Sequence, residues 1–204
     1  EGTTPYALNF PPTLTTSYAG RALTGFELEG NDGQGGAVTG LPTGTPRPVY
    51  HDCTTQTITV GRGTTVTPQV QAQYSTWMHA YLYVDWNRDS TFQTTPDELL
   101  TYTCYEEKNS LGQTVPWGVA LSQFPAFNIP QEADGVYRAR LVIDWNCKDP
   151  GGRYGSRYTE NFIDDNGGAI LDFHLNVTER ARLCYLNLDT RHGNIYDANG
   201  NPLP

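Results

Sequence analysis

Carboxylate and amide side chains follow an apolar, strand-like run in the stretch YVDWNRDSTFQTTPDE. Asp85, Asn87 and Asp89 stand two residues apart, and Thr91 and Glu98 come after them. Calcium binds six to eight oxygen atoms, and short oxygen-bearing side chains at alternate positions of a curling loop can converge on one ion. The stretch therefore predicts a calcium site made of these five residues.

A second interpretation of the same loop needs no metal. Where a helix-loop-helix calcium loop has Gly at position six and Glu at position twelve, this chain has Ser90 and Pro96. Asp and Asn also stabilise tight turns by hydrogen bonding to their own backbone. The later stretch LVIDWNCKDPGG begins in the same way, and its Pro150-Gly151 pair favours a plain turn. For the first loop, calcium and turn both remain open.

No catalytic motif stands out. The chain has no His-Glu-x-x-His pair and no Gly-x-Ser-x-Gly elbow. A carboxylate pair for glycoside cleavage is defined by a distance in space, which the order of residues does not give. We predict that the chain is not an enzyme, with a glycoside hydrolase as the less favoured alternative.

Aromatic residues in irregular segments are candidates for sugar binding. Trp117 lies between Pro and Gly in TVPWGVA, and Tyr154 and Tyr158 alternate with Arg153 and Arg157 in GGRYGSRYTEN. Rigid aromatic rings accept the apolar C–H faces of sugars. The two arginines could bind an acidic sugar or pair with the protein's own carboxylates. We predict these five residues as the ligand-binding set, against the alternative that they pack structurally.

Charge and hydropathy exclude several partners. The 204 residues carry a net charge of −9, which disfavours nucleic acid. No run approaches the roughly 20 apolar residues that span a bilayer, so membrane insertion is not expected. The Thr-, Tyr- and Asn-rich composition with sparse Lys favours a secreted or cell-surface protein. The disulfide connectivity of the four cysteines is left open; they are Cys53, Cys104, Cys147 and Cys184.

The composition predicts an all-β fold. Gly, at 21 residues, and Pro, at 14, break helices, while β-branched and aromatic residues suit strands. In TWMHAYLYVDWN, alternation places Trp86 on the apolar face and Asp85 on the opposite one, facing outward at the rim of a sheet. Tyr81 and Tyr83 share that opposite face. We predict an immunoglobulin-like β-sandwich of about seven to nine strands with long loops.

The domain organisation follows from the irregular ends. Residues 1–20 lack periodicity and are predicted to form an extended N-terminal arm. Residues 21–190 are assigned to the β-sandwich, with the Gly-rich stretch after the first strand as a loop. Residues 191–204 are predicted to be a linker or the start of a following domain.

Three segments resemble a known family. YVDWNRDSTF, GVYRARLVIDWN and NGGAILDFHLNV, in that order, resemble the GEVED-type β-sandwich modules of secreted and surface proteins of Bacteroidota-like bacteria. The resemblance covers roughly residues 60–178. The Gly-Glu-Val-Glu-Asp signature itself is absent, and Ser90 replaces the usual loop glycine. The resemblance implies an accessory module beside catalytic or adhesive domains.

These observations combine into one functional prediction. The chain is expected to be a non-catalytic carbohydrate-binding module of an exported surface or carbohydrate-active protein. Its partners would be a glycan and further domains of a longer polypeptide. The alternative is a structural spacer or adhesin module in which a calcium ion stiffens a loop.

Overall fold

The structure is a computed structural model that describes a large part of the chain in separate ranges. These are residues 3–5, 22–43, 47–48, 50–73, 78–93, 98–105, 107–115, 121–144, 168–180 and 201. They contain eleven strands and one short 3-10 turn at Leu121–Gln123. Within these ranges there is no α-helix, and none of the chain described could cross a membrane as a helix.

Two mainly antiparallel sheets form the body of the protein. The strands in chain order are β1 Thr3–Pro5, β2 Leu23–Gly30, β3 Gly35–Val38, β4 Tyr50–Gly61, β5 Thr65–Ala72, β6 His79–Val84, β7 Thr91–Gln93, β8 Leu99–Tyr102, β9 Phe127–Asn128, β10 Gly135–Asp144 and β11 Gly168–Thr178. One sheet has the order β4-β11-β10-β6-β8, the other β3-β2-β5-β9, and β1 pairs with β7 alone. Only the β4–β11 pair is parallel among these neighbours. The predicted all-β sandwich of seven to nine strands is confirmed.

The main core lies between the two sheets. Alternate residues of β6, β10 and β11 point into it, among them Leu82, Leu141 and Leu171. The facing sheet contributes Phe26, whose ring centroid lies 5.4 Å from that of Phe173. The period-two alternation predicted for β6 and β10 is confirmed on this inner face.

The outer face of the five-stranded sheet is covered as well, which differs from the expectation of a polar face. Tyr81, Tyr83 and Phe92 form a second apolar cluster there with Val142 and Ile170. Phe92 comes from β7, a short strand that pairs with β1 and belongs to neither of the two main sheets. The expectation that Asp85 faces outward is wrong, because its side chain is fully buried. Tyr81 and Tyr83 are buried too, so neither offers a ring to a ligand.

One local prediction needs adjustment. The Gly-rich segment after β2 was expected to be all loop, yet Gly35–Val38 forms β3 and pairs with β2. Gly35 is needed there because a side chain would collide with the Leu28 carbonyl. The Gly-Arg-Gly turn between β4 and β5 passes from one sheet to the other, since β4 pairs with β11 and β5 with β2.

Candidate functional site

An open pocket of about 730 Å³ lies where the ends of both sheets meet. Its walls come from the residues after β6, the end of β7, the start of β8, β9 with the turn after it, and β10. The lining is apolar, amide and acidic: Trp86, Leu100, Phe127, Pro130, Ala133 and Tyr137, then Asn87, Gln93 and Asn128, then Glu98 and Glu132. Among these lining residues there is no basic side chain.

The loop after β6 is held by its own acidic and amide side chains. The buried carboxylate of Asp85 accepts hydrogen bonds from the backbone N–H groups of Asp89 (3.2 Å) and Ser90 (3.0 Å). The side-chain oxygen of Asn87 accepts a third, from the Asp89 N–H at 2.8 Å. Arg88 and Ser90 have φ angles of 59° and 69°, in the left-handed region that a tight turn requires. This turn fixes where Trp86 and Asn87 stand at the pocket.

Asp89 continues the same network toward β7. Its carboxylate accepts hydrogen bonds from the Thr91 hydroxyl at 2.6 Å, the Thr91 N–H at 2.8 Å and the Gln93 amide at 3.1 Å. The Thr91 hydroxyl bond is the main cause that lowers the pKa of Asp89. Asp89 is therefore ionised and exposed, and the hydrogen bond that it accepts from the Gln93 amide helps to position Gln93 in the pocket wall.

Glu98 is the most unusual residue of the pocket lining. It is only 3% exposed, and its Oε2 accepts a hydrogen bond from the Gln93 N–H at 2.8 Å. Its Oε1 is buried and finds no hydrogen-bond partner. The N–H of Asn87 also favours the charged form of Glu98, but it lacks the geometry of a hydrogen bond to Oε1. Burial, followed by the charge of Asp85, gives Glu98 a raised pKa despite these N–H groups.

The aromatic part of the pocket is built around Trp86. Its half-buried indole meets the ring of Tyr137 edge-on, with centroids 4.8 Å apart and planes at 73°. The guanidinium of Arg88 lies 4.1 Å from the centroid of the Tyr137 ring, and the Tyr137 hydroxyl accepts a hydrogen bond from the Asp134 N–H at 3.0 Å. Tyr137 is thus fixed on several sides. The indole N–H of Trp86 is buried without a hydrogen-bond partner.

The five residues predicted to bind calcium lie in this one region. Their oxygens mostly accept hydrogen bonds from loop N–H and hydroxyl groups, which is the pattern of the turn interpretation. Within the ranges described, no three His, Cys, Asp or Glu side chains are arranged to hold a metal ion. Calcium binding by Asp85, Asn87, Asp89, Thr91 and Glu98 remains a prediction.

The five residues predicted to bind a glycan lie outside the described ranges: Trp117, Arg153, Tyr154, Arg157 and Tyr158. Conversely, the sequence reasoning did not find Phe127, Asn128 or Glu132 as pocket residues. They lie in a proline-containing segment with no periodicity, and the pairing of β9 with β5 positions Phe127 and Asn128 beside the pocket. Trp86 was assigned to the core, and it does pack against the core while also lining the pocket.

No protein-family model matches this chain, and no curated protein does. The resemblance to GEVED-type modules therefore rests on the quoted segments alone.

Proposed function

We propose that the protein is a non-catalytic carbohydrate-binding module that holds a glycan in the Trp86 pocket. The observation that carries this proposal is the lining, in which one half-buried indole stands among three amide side chains and two carboxylates. Ligand pockets of about 300–1,000 Å³ with a few placed polar groups are typical of small-molecule sites, and this cavity of about 730 Å³ falls in that range.

The chemistry of the lining suits a sugar. A pyranose has apolar C–H patches and a ring of hydroxyls, each of which can donate and accept a hydrogen bond. Trp86 offers an apolar ring at low entropy cost, and Asn87 and Asn128 are exposed at the rim. The side-chain oxygen of each accepts one hydrogen bond within the protein, from the Asp89 N–H and the Thr65 hydroxyl respectively, and each amide keeps a further donor and a lone pair for a ligand. Amides suit neutral hydroxyls because they need no counter-charge.

The cellular setting is part of the same proposal. Cys104 is disulfide-bonded, and Cys53 is a free thiol. Disulfides persist in oxidising compartments, which supports a secreted or cell-surface protein. The glycan-binding module would act beside further domains of a longer polypeptide, as its GEVED-type resemblance implies.

Binding can be tested by titrating the protein with soluble oligosaccharides in a calorimeter. Asn87→Ala and Asn128→Ala are each expected to weaken a measured affinity by about fivefold, because each removes a hydrogen bond worth about 1 kcal/mol. Asn176→Ala is the matched control, since Asn176 lies on β11 outside the pocket. It should leave affinity unchanged.

The outcomes separate the site from the function. If no saccharide binds, the carbohydrate-binding proposal is wrong. If binding survives both pocket variants but is lost in Trp117→Ala or Tyr154→Ala, the function stands and the ligand sits at the residues predicted from sequence instead.

The second candidate is a structural spacer or adhesin module stiffened by calcium. It is favoured by the unpartnered Oε1 of Glu98, because Asp85 and Asp89 are near enough to raise the pKa of this carboxyl. A divalent cation would offset that repulsion and fill the missing contact. A spacer would bind no sugar, yet its melting temperature would rise with calcium.

A further inference from the structure

We infer that the pocket selects a saccharide bearing a free, protonated amino group over its neutral or acidic counterparts. This inference rests on the proposed carbohydrate binding and names the substrate class of that site. Its starting point is charge: the lining residues include two carboxyl side chains, Glu98 and Glu132, and no basic side chain. A uronic acid would meet two carboxylates there with no compensating cation.

Glu98 gives the preference its physical basis. A carboxylate that is 3% exposed and has one oxygen without a hydrogen-bond partner is poorly compensated in the free protein. An ammonium group brings three donors and a full positive charge, and charge-assisted hydrogen bonds are roughly twice as strong as neutral ones. A sugar hydroxyl brings one donor and no charge. Glu98 lines the pocket although its Oε1 is buried, so the amino sugar gains more than a neutral sugar from the negative charge of this carboxylate.

Neither neighbouring arginine, Arg88 or Arg62, forms an ion pair with Glu98 or Glu132. Arg88 lies over the Tyr137 ring and donates to the Asp134 carbonyl at 2.9 Å. Arg62 binds the Asp134 carboxylate at 2.5 Å. Meanwhile Asp85 and Asp89 add to the negative potential at Glu98 and help to raise its pKa. The electrostatic field at this end of the sandwich thus favours an incoming positive group.

The rest of the lining argues for an amino sugar rather than a simple cation. A bare metal ion would use the carboxylates but not the indole of Trp86 or the amides of Asn87 and Asn128. A glycan with one amino group can use all of them, because its hydroxyls pair with the amides and its ammonium interacts with both carboxylate and indole. The ligand class is a saccharide unit with a free amine.

The test compares three soluble trisaccharides by calorimetry just below neutral pH, so that the ligand amine is protonated while the carboxyl group of Glu98, whose pKa is raised, stays ionised. The probes are a glucosamine trimer, its N-acetylated form and a galacturonic acid trimer. We expect the glucosamine trimer to bind at least tenfold more tightly than the N-acetylated trimer and the uronic acid not to bind. Raising the salt concentration should weaken the glucosamine complex the most.

Two variants and a control assign the preference to the pocket. Glu98→Gln and Glu132→Gln should each reduce the preference for the free amine by about threefold or more, and Glu132 is exposed enough that its variant will fold normally. Glu29→Gln is the control, because Glu29 is exposed on β2 outside the pocket. It should keep the full preference.

Each contrary result has a separate meaning. Equal binding of the amine and its N-acetylated form would overturn the inference while leaving carbohydrate binding in place. An amine preference that survives both glutamate variants would overturn it as well. The absence of binding by every saccharide tested would reject the proposed function together with the inference.

Discussion

Arg140 and Asp172 form a two-point ion pair on the outer face of the five-stranded sheet, with Nε–Oδ1 at 2.6 Å and Nη2–Oδ2 at 2.8 Å. Both side chains are almost wholly buried. Arg138 donates to the same Oδ2 at 2.7 Å, and the Tyr50 hydroxyl does so at 2.9 Å. Burial and then the charge of Asp172 raise the pKa of Tyr50 to about 12. One carboxylate thus organises a strand-crossing network from β4 to β10.

Replacing this carboxylate should destabilise the fold strongly. Asp172→Asn removes the charge that compensates two guanidinium groups, one of them buried, and we expect a loss of about 3–5 kcal/mol in the free energy of unfolding. Urea denaturation followed by fluorescence measures it. Asp134→Asn is the control, because the Asp134 side chain is 70% exposed where it pairs with Arg62 and should contribute at most about 1 kcal/mol. Similar losses in the two variants would contradict this account.

Stability should fall on mild acidification because of two buried histidines. Burial lowers the pKa of His79 to about 4, and burial together with the charge of Arg47 does the same for His51. An unfolded chain binds these protons near pH 6.5 and the native protein does not. Each histidine therefore stabilises fully above about pH 6.5 and loses up to about 3 kcal/mol as the pH drops toward 4.

A variant isolates the His79 contribution to this pH dependence. His79→Leu should reduce the dependence of the free energy of unfolding between pH 7.5 and 5 by about half, because His51 still contributes, and urea denaturation at each pH measures this. The Nδ1 atom of His79 has no hydrogen-bond partner, so an apolar side chain leaves no lost bond behind. An unchanged slope in the variant would show that His79 is protonated equally in both states.

The inner face of the fold could be predicted from sequence, and the outer face could not. In β10, alternation alone places Ala139, Leu141 and Ile143 in the core, because successive strand residues point to opposite sides. The same rule assumed that the other side meets water. It cannot anticipate that Phe92, from a separate short strand, covers Tyr83 and lies 4.7 Å from the Arg140 guanidinium.

Only one wall of the pocket could be predicted from the sequence, namely the wall formed by the loop after β6 and by Glu98. Asp85, Asn87 and Glu98 were selected from local spacing, and the structure brings them into one region. The other wall, with Phe127 and Asn128, depends on a two-residue strand that joins the opposite sheet. Such long-range pairing leaves no local period in the sequence. Trp86 was assigned correctly to the apolar face, but a strand-end residue can pack on the core and line a pocket at once.

The turn after β6 carries backbone strain that can be relieved. Ser90 has a φ angle of 69°, which costs a residue with a Cβ atom roughly 1 kcal/mol and glycine nothing. Ser90→Gly should therefore stabilise the protein by about 0.5 kcal/mol after the entropy that glycine gains in the unfolded chain. Ser110→Gly, whose position has no positive φ, should instead destabilise it. Thermal melting distinguishes the two directions.

Glu98 provides the test of the calcium alternative. Without a bound cation, Glu98→Gln should raise the melting temperature at pH 7, because it removes a buried charge with an unpartnered oxygen beside Asp85. The sign follows from the raised pKa: folding favours the protonated form, so ionised Glu98 opposes folding at neutral pH and ceases to do so in acid. With calcium in place the carboxylate would be a ligand, and the same variant would lower the melting temperature. Melting wild type and variant with calcium and with a chelator thus gives opposite signs for the two cases. A wild-type midpoint that is the same in both buffers, with a more stable variant, would reject calcium binding at this loop.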